Sequence, residues 1–191
     1  MRKILICAGS EKTAAALSAL LKSIDNTETA AVFNGKTVQR FLAAHPETNL
    51  VVFNTPLEDE QGLSLAVSIV SEYSVPVLAV TDEESFGRVG GTLTEHGVVV
   101  FRRPVDKRIF CNTVETLLTA DVIMKHLRGE AAGLQENLEE LRMVNKAKAL
   151  LIQNLHMTEA QAHRYIEKQA MDLRQSRKII AQNILKTYFN K

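Results

Sequence analysis

The chain has 191 residues, enough for one large domain or for a medium-sized domain followed by a small one. Its 46% apolar and 24% charged residues are typical of a soluble globular protein, and the net charge of +1 by itself implies no polyanionic partner. Cys7 and Cys111 are too few for a disulfide framework, and the apolar run at 4–7 is too short for a signal peptide or a membrane span, so we expect a cytoplasmic protein.

Short β-branched runs alternate with stretches of helical spacing through the first 118 residues. The runs predict five strands, at residues 3–7, 29–33, 50–53, 77–80 and 98–101. Continuous apolar strands that alternate with helices are typical of a parallel sheet covered on both faces. Residues 1–118 are therefore predicted to form a doubly wound α/β domain with a five-stranded parallel sheet of the flavodoxin-like type. Gly87, Gly90 and Gly91 crowd its fourth helix, and each costs about 1 kcal/mol of helix stability relative to alanine.

A heptad pattern replaces the strands from residue 119 onwards. Apolar residues spaced alternately by four and three form one stripe, which consists of Ala120, Met124, Leu127, Ala131, Leu134, Leu138 and Leu141, and Asn145 takes the next position. Such a stripe is buried best against a partner helix, so residues 119–141 are predicted to form a coiled-coil linker helix that pairs two chains. An amphipathic helix that packs on its own α/β domain is the alternative.

Residues 142–191 are predicted to form a small, basic three-helix domain. A break at Leu155-His156-Met157 ends the first helix, and Thr158 with Gln161 forms a capping box for the second. This segment has 10 Lys and Arg against 3 Asp and Glu, a net charge of +7, whereas residues 1–141 have a net charge of −6. Such an excess indicates a polyanionic ligand but does not distinguish RNA from DNA. A solvated helix surface balanced by the acidic domain is the alternative.

The α/β domain resembles the receiver domain of two-component response regulators over residues 2–118. In receivers the first strand ends in an acidic pair that binds Mg²⁺, and the third strand ends in the phosphoacceptor Asp. The fourth strand ends in Ser or Thr, and the fifth in a Lys-Pro step. The corresponding residues here are Ala8 and Gly9, Asn54, Thr81, and Arg103 before Pro104.

These substitutions remove the chemistry of aspartyl phosphorylation. That reaction needs a carboxylate nucleophile and a divalent cation held by anionic oxygens. Ala8 and Gly9 supply no carboxylate, and the Asn54 amide cannot form the acyl phosphate, although Thr81 and Arg103 could still bind an anion. We therefore expect a pseudo-receiver with no metal and no other cofactor. Four roles are open for such a domain: binding of a protein partner at the receiver face, dimerisation, sensing of a ligand other than phosphate, and service as a scaffold for its helices.

The C-terminal segment resembles the ANTAR RNA-binding domain over about residues 136–186. Four blocks carry the resemblance: Ala147-Lys148 before an apolar run, Thr158-Glu159 opening the second helix, Ala162 with Ala170-Met171, and Ala181 with Ile184. The sequence departs from the family pattern at Leu141, where the family has Arg, and at Ala149 and His156, where it has Gly. We assign Ala147, Ala162, Ala170 and Met171 to the core between the helices.

The two resemblances together imply a transcription antitermination regulator that binds paired hairpins in nascent RNA as a dimer and is not an enzyme. Lys148 is the strongest candidate for a direct RNA contact, because Lys and Arg hold phosphates. The other candidates are Lys146, Arg142, Lys168, Arg174, Arg177 and Lys178. His163 and Tyr165 could stack on unpaired loop bases, although each is more often a helix-packing residue.

Three other functions are consistent with parts of the sequence. A DNA-binding response regulator is the main alternative, since receivers most often control helix-turn-helix domains. An enzyme is disfavoured, because the segment 9–13 lacks the second glycine and the spacing of a P-loop and the acidic run at 58–60 has no nucleophilic partner in the sequence. In a pure interaction protein the basic tail would dock on an acidic partner and would have no RNA affinity.

Overall fold

The computed structural model describes residues 1–54 and 62–189 and divides into two compact units, Met1–Lys125 and His126–Lys191. The first unit contains β1 (Arg2–Ala8), α1 (Glu11–Leu21), β2 (Thr27–Val32), α2 (Gly35–Ala44), β3 (Thr48–Asn54), α3 (Gly62–Glu72), β4 (Val77–Thr81), α4 (Glu83–Glu95) and β5 (Val98–Arg102). The division falls within the long helix α5 (Lys107–Leu155), and α6 (Glu159–Leu173) and α7 (Arg177–Phe189) complete the second unit. The acidic run at 58–60 lies outside the described residues.

The strands form one parallel sheet in the order β2-β1-β3-β4-β5. All five predicted strands are confirmed, because each run of β-branched residues lies within a strand or overlaps one almost completely. The chain passes from β1 outward to β2 and then back across β1 to β3, so the strand order reverses beside β1. The predicted doubly wound, five-stranded parallel sheet is therefore confirmed.

Successive strand residues point to opposite faces of the sheet, and helices cover both faces. Leu5, Cys7, Val51 and Phe53 are fully buried on the face that packs against α2, α3 and α4. Ile4, Ile6, Leu50 and Val52 are fully buried on the other face, against α1 and the first turns of α5. Burial on both faces explains why the strands are continuously apolar rather than alternating.

Helix α4 forms despite its three glycines. Asp82 is its N-cap, and the Asp82 carboxylate accepts a hydrogen bond from the Ser85 amide at 2.8 Å. A Cβ atom at Gly90 would lie 2.9 Å from the Phe86 ring, so glycine at this position lets the ring lie against the helix. The Arg102 guanidinium lies 4.8 Å from the centroid of the same ring.

A buried polar contact joins the first part of α5 to the amino end of β3. Asp121 is buried, and its Oδ2 atom accepts hydrogen bonds from Asn49 Nδ2 at 2.9 Å and from Lys125 Nζ at 2.8 Å. Lys125 also donates to the Thr48 carbonyl oxygen at 3.3 Å. The start of α5 is thus held in the first unit by both apolar and ionic contacts.

The second unit is a three-helix domain formed by the end of α5, α6 and α7. Its core includes Val144, Leu151, Ile166 and Ile180. The predicted break is confirmed: α5 ends at Leu155, and His156 takes a left-handed backbone with φ of 54°. The predicted capping box at the start of α6 is present in both directions. In the described part of the chain, no helix combines the length and apolarity that a membrane span requires.

Helix α5 continues without interruption through residues 118 and 141, the predicted ends of the first two segments. Residues 119–141 are thus part of a 49-residue helix, as the heptad pattern predicts for their local structure. The division into segments 1–118, 119–141 and 142–191 stays a prediction about independent folding.

Candidate nucleic-acid interface

The carboxyl edge of the sheet brings together the residues that the resemblance to receivers matches with the phosphorylation site. Ala8 and Asn54 are direct neighbours at the ends of β1 and β3, and both are buried. Thr81 is fully buried at the end of β4, where its hydroxyl donates to the Phe101 carbonyl oxygen at 3.5 Å. Gly9 follows β1 directly. These four predicted positions therefore lie at one edge of the sheet, and none of the four residues has a carboxylate.

The basic residue at this edge lies beside an acid that the sequence analysis did not single out. The backbone amide of Arg103 donates to the Thr81 carbonyl oxygen at 2.9 Å, and the peptide bond to Pro104 is cis. The hydrogen bond from the Ser85 amide lowers the pKa of Asp82, and the charge of Arg103 lowers it further. An Asp directly before a helix is a typical N-cap, and this pattern would have identified Asp82 from the sequence.

The P-loop-like segment after β1 is a helix cap. Ser10 is the N-cap of α1, and its hydroxyl accepts a hydrogen bond from the Thr13 amide at 3.3 Å. The Ser10 and Thr13 hydroxyls also lie 2.7 Å apart. The two hydroxyl residues are therefore explained by helix capping, and no phosphate ligand is needed to explain them.

The heptad stripe on α5 is open to solvent in the single chain. Met124, Leu127, Leu134, Leu138 and Leu141 are each at least 47% exposed, and Ala131 is exposed as well. Two further apolar side chains that the sequence analysis omitted, Val122 and Ile123, are also exposed. A row of exposed apolar side chains this long is unusual for a surface helix that has no partner.

Three of the predicted RNA contacts form ion pairs within the second unit. Lys148 Nζ lies 3.1 Å from Glu159 Oε1, and the Lys148 side chain is only 16% exposed. Arg177 lies 2.9 Å from Glu140. Lys178 lies 3.7 Å from both Glu136 and Glu139. An RNA phosphate at any of these three cations would compete with a carboxylate.

The other four predicted contacts, Arg142, Lys146, Lys168 and Arg174, are exposed. None of the four side chains forms an ion pair with another residue that the structure describes. Arg164 and Lys186 are also exposed cations of this unit, and the sequence analysis did not include them. Unpaired, solvated cations are available to phosphates at the lowest desolvation cost.

Arg174 occupies a backbone position that favours glycine. Its φ is 51°, in the left-handed region, at the C-terminus of α6. The Gln175 amide donates to the Ala170 carbonyl and the Arg174 amide donates to the Met171 carbonyl, which together form a Schellman motif. A residue with a side chain costs stability at this position relative to glycine.

Of the four residues assigned to the core between the helices, three are placed there. Ala147 and Ala162 are fully buried, and Ala170 packs against the core. Met171 is 78% exposed, so its assignment was wrong. The buried face of α6 follows spacings of four through Ala162, Ile166 and Ala170, and the next residue is rotated about 100° away from that face.

A groove of about 260 Å³ runs along the ends of the three helices of the second unit. Its lining includes Tyr165, Gln169, Asn183 and Tyr188. Of these four, only Tyr165 was considered from the sequence. The signal for Tyr188 was present, because it continues the spacing of four from Ile180 through Ile184.

Comparison with known proteins agrees with this two-part organisation. The sequence model of the ANTAR domain matches residues 132–185. The transcriptional regulatory protein PdtaR of Mycobacterium tuberculosis is 27% identical over 146 residues, which cover 76% of this chain and 71% of that protein.

Solved receiver domains share the fold of the first unit. The response regulator receiver domain protein from Clostridium thermocellum has a TM-score of 0.58 at 14% identity, covering 65% of this chain and 99% of that one. The signal receiver domain of an HD domain-containing protein from Pseudomonas fluorescens Pf-5 has a TM-score of 0.58 at 18% identity, covering 65% and 92%. The chain thus combines a receiver-like fold with a segment that matches the ANTAR domain, an organisation similar to that of ANTAR response regulators.

Proposed function

We propose that this regulator binds paired hairpins in nascent RNA through its ANTAR domain and thereby prevents a transcription terminator from forming. The observation that carries the proposal is the set of exposed, unpaired cations of the second unit, in which residues 142–191 have a net charge of +7. A concentrated positive surface of this kind attracts the phosphates of a structured nucleic acid. The role is binding rather than catalysis, and nascent transcripts place it in the cytoplasm.

RNA is favoured over duplex DNA by the kind of residues that this unit exposes. Sequence-specific RNA recognition uses single-stranded loops, whose bases stack on aromatic side chains while cations hold the backbone. The second unit has cations on all three helices and an open groove that contains two tyrosines. A DNA-binding response regulator remains the rival function, and the experiment below separates the two.

We further propose that two chains pair through the heptad stripe of α5. The five large apolar side chains of the stripe are solvent-exposed in a single chain, and burial of each against a partner helix removes it from water. The ion pair between Glu140 and Arg177 holds the start of α7 against a side of α5 that faces away from the stripe. The stripe therefore stays accessible. A dimer would present two ANTAR domains, matching two hairpins.

The proposal also holds that aspartyl phosphorylation does not control this protein. Asn54 stands at the end of β3 and Ala8 at the end of β1, so neither of these two positions supplies a nucleophilic carboxylate or an acidic ligand for a divalent cation. The receiver-like domain is then free to serve as a surface for a protein partner.

A gel-shift comparison tests the nucleic-acid proposal. Full-length protein is titrated against an RNA of two adjacent hairpins and against a DNA duplex of matching sequence and length. We expect the RNA to bind more tightly at every salt concentration, with affinity falling as salt rises. A preference for the duplex would identify a DNA-binding regulator instead, and failure to bind either would leave the interaction-protein hypothesis.

A further inference from the structure

The groove of the second unit combines aromatic and amide side chains in a way that suits a nucleic-acid base. Tyr165 on α6 and Tyr188 on α7 both line it, and Leu151 contributes from α5. Tyr165 is 39% exposed, so its ring is reachable from solvent. The volume of about 260 Å³ is below the range of about 300–1,000 Å³ that holds drug-sized ligands, and it suits a single planar group.

Two amide side chains give this apolar groove a hydrogen-bonding capacity that the protein itself does not use. Gln169 and Asn183 line the groove, and neither side-chain amide forms a hydrogen bond with another residue among those described. Each amide offers both donors and an acceptor, which is the complement of the edge of a base. Unpaired bases are read in this way, by stacking together with hydrogen bonds to their edges.

Cations flank the groove on two helices. Lys168 follows the lining residue Tyr165 by three positions, and Lys186 follows the lining residue Asn183 by three positions, so each lies one helical turn along from the groove. Both lysines are exposed. A base in the groove would therefore have cations within reach of its flanking phosphates, which favours a nucleotide over an uncharged apolar ligand.

We propose that this groove receives one unpaired base of the RNA loop, stacked on Tyr165 and read at its edge by Gln169 and Asn183. The inference rests on the proposed function and names the part of the domain that would supply sequence preference. His163 lies on the same helix, its Nε2 atom is 3.2 Å from Glu167 Oε1, and it does not line the groove. It therefore takes no part in stacking.

The probe is a pool of RNAs with two hairpins and randomised loops, enriched for binding to the full-length wild-type protein. Loop adenines of the enriched RNA are replaced one at a time by the fluorescent base 2-aminopurine. Because the chain has no tryptophan, the emission of this base can be followed without protein background. We expect the emission at one loop position to fall when wild-type protein binds, since stacking on Tyr165 quenches it.

Substitutions then test the role of the groove. Tyr165→Ala should weaken binding roughly 5- to 100-fold and abolish the emission change, as expected for loss of one base-aromatic stack. Tyr165→Phe keeps the ring and should retain both properties, which distinguishes stacking from a loss of folding. Gln169→Leu should reduce discrimination between bases at that loop position, whereas His163→Ala should leave affinity and emission unchanged.

Each other outcome decides against the inference. Wild-type affinity and an unchanged emission response in Tyr165→Ala would overturn it while leaving the proposed function intact. If no RNA were enriched at all, both would fall. If Tyr165→Ala instead sedimented at the mass of one chain while the wild type sedimented as two, the groove would belong to the contact between copies of this chain.

Discussion

Lys148 illustrates how the environment of a single side chain changes what its substitution should do. The lysine is ion-paired with Glu159 and largely covered, so an RNA phosphate has to displace a carboxylate before it can contact this cation. We expect Lys148→Ala to weaken hairpin binding by about 1–3 kcal/mol and to reduce the salt slope by about one. Glu159→Gln is the matched variant. It should strengthen binding, because it frees Lys148 and removes a negative charge near the RNA.

Titrations of labelled RNA at several salt concentrations measure both effects. Equal affinity of wild type and Lys148→Ala would show that this lysine serves only the fold. If Glu159→Gln weakened binding, the Lys148-Glu159 pair would be positioning the cation rather than competing for it.

Arg174 gives a prediction in which stability and binding move in opposite directions. Its left-handed backbone favours glycine, so Arg174→Gly should raise the free energy of unfolding by up to about 1 kcal/mol. The same change removes an exposed cation and should weaken RNA binding by about 1 kcal/mol. His156 also has a left-handed backbone, and His156→Gly is the control that should stabilise the protein with RNA affinity unchanged.

Thermal or urea unfolding together with RNA titration reads out both properties for each variant. A loss of stability in Arg174→Gly would contradict the backbone argument. Unchanged RNA affinity would instead remove Arg174 from the interface.

Helix α5 is the element on which the proposed dimer depends. Leu134 is 65% exposed in the single chain and belongs to the stripe, whereas Ala132 is exposed about 200° around the helix from Leu134 and lies outside the stripe. Leu134→Glu should weaken dimerisation by at least about 3 kcal/mol, or roughly 100-fold, because both chains lose a buried leucine and gain a charge at the contact. Ala132→Glu adds the same charge outside the stripe and should leave dimerisation unchanged.

Sedimentation or light scattering at micromolar concentration distinguishes the states. Wild type and Ala132→Glu should have twice the 21.2 kDa mass of one chain, and Leu134→Glu should have that mass once. A Leu134→Glu protein that stayed dimeric would place the contact elsewhere.

The elements themselves were predictable where the signal is local. Strands buried on both faces are continuously apolar, and Thr158 with Gln161 predicted the start of α6, so these features were recognised from the sequence. Met171 was misassigned because a match to a family motif gives no helical phase. The pairing of Glu136 with Lys178 joins two helices that are distant in sequence, so it becomes apparent only in three dimensions. The groove between Tyr165 and Tyr188 depends on the same convergence.

At the scale of the molecule, the proposal that aspartyl phosphate does not control this protein can be tested with a phosphate donor. Acetyl phosphate with Mg²⁺ should leave the intact mass of the wild type unchanged at neutral pH. Asn54→Asp restores the nucleophile but not the acidic pair, so we expect it to stay unmodified as well. An adduct on Asn54→Asp alone would mean that other groups hold the cation, and an adduct on the wild type would refute the pseudo-receiver hypothesis.

The central claim is that two basic three-helix domains, paired through α5, bind structured RNA. Sedimentation of full-length protein with a fluorescent RNA of two hairpins tests it most directly, because mass and binding are measured together. At low ionic strength we expect one complex of two chains with one RNA, which dissociates as salt is raised. Protein that sedimented as a single chain and left this RNA unbound even at low ionic strength would contradict the account.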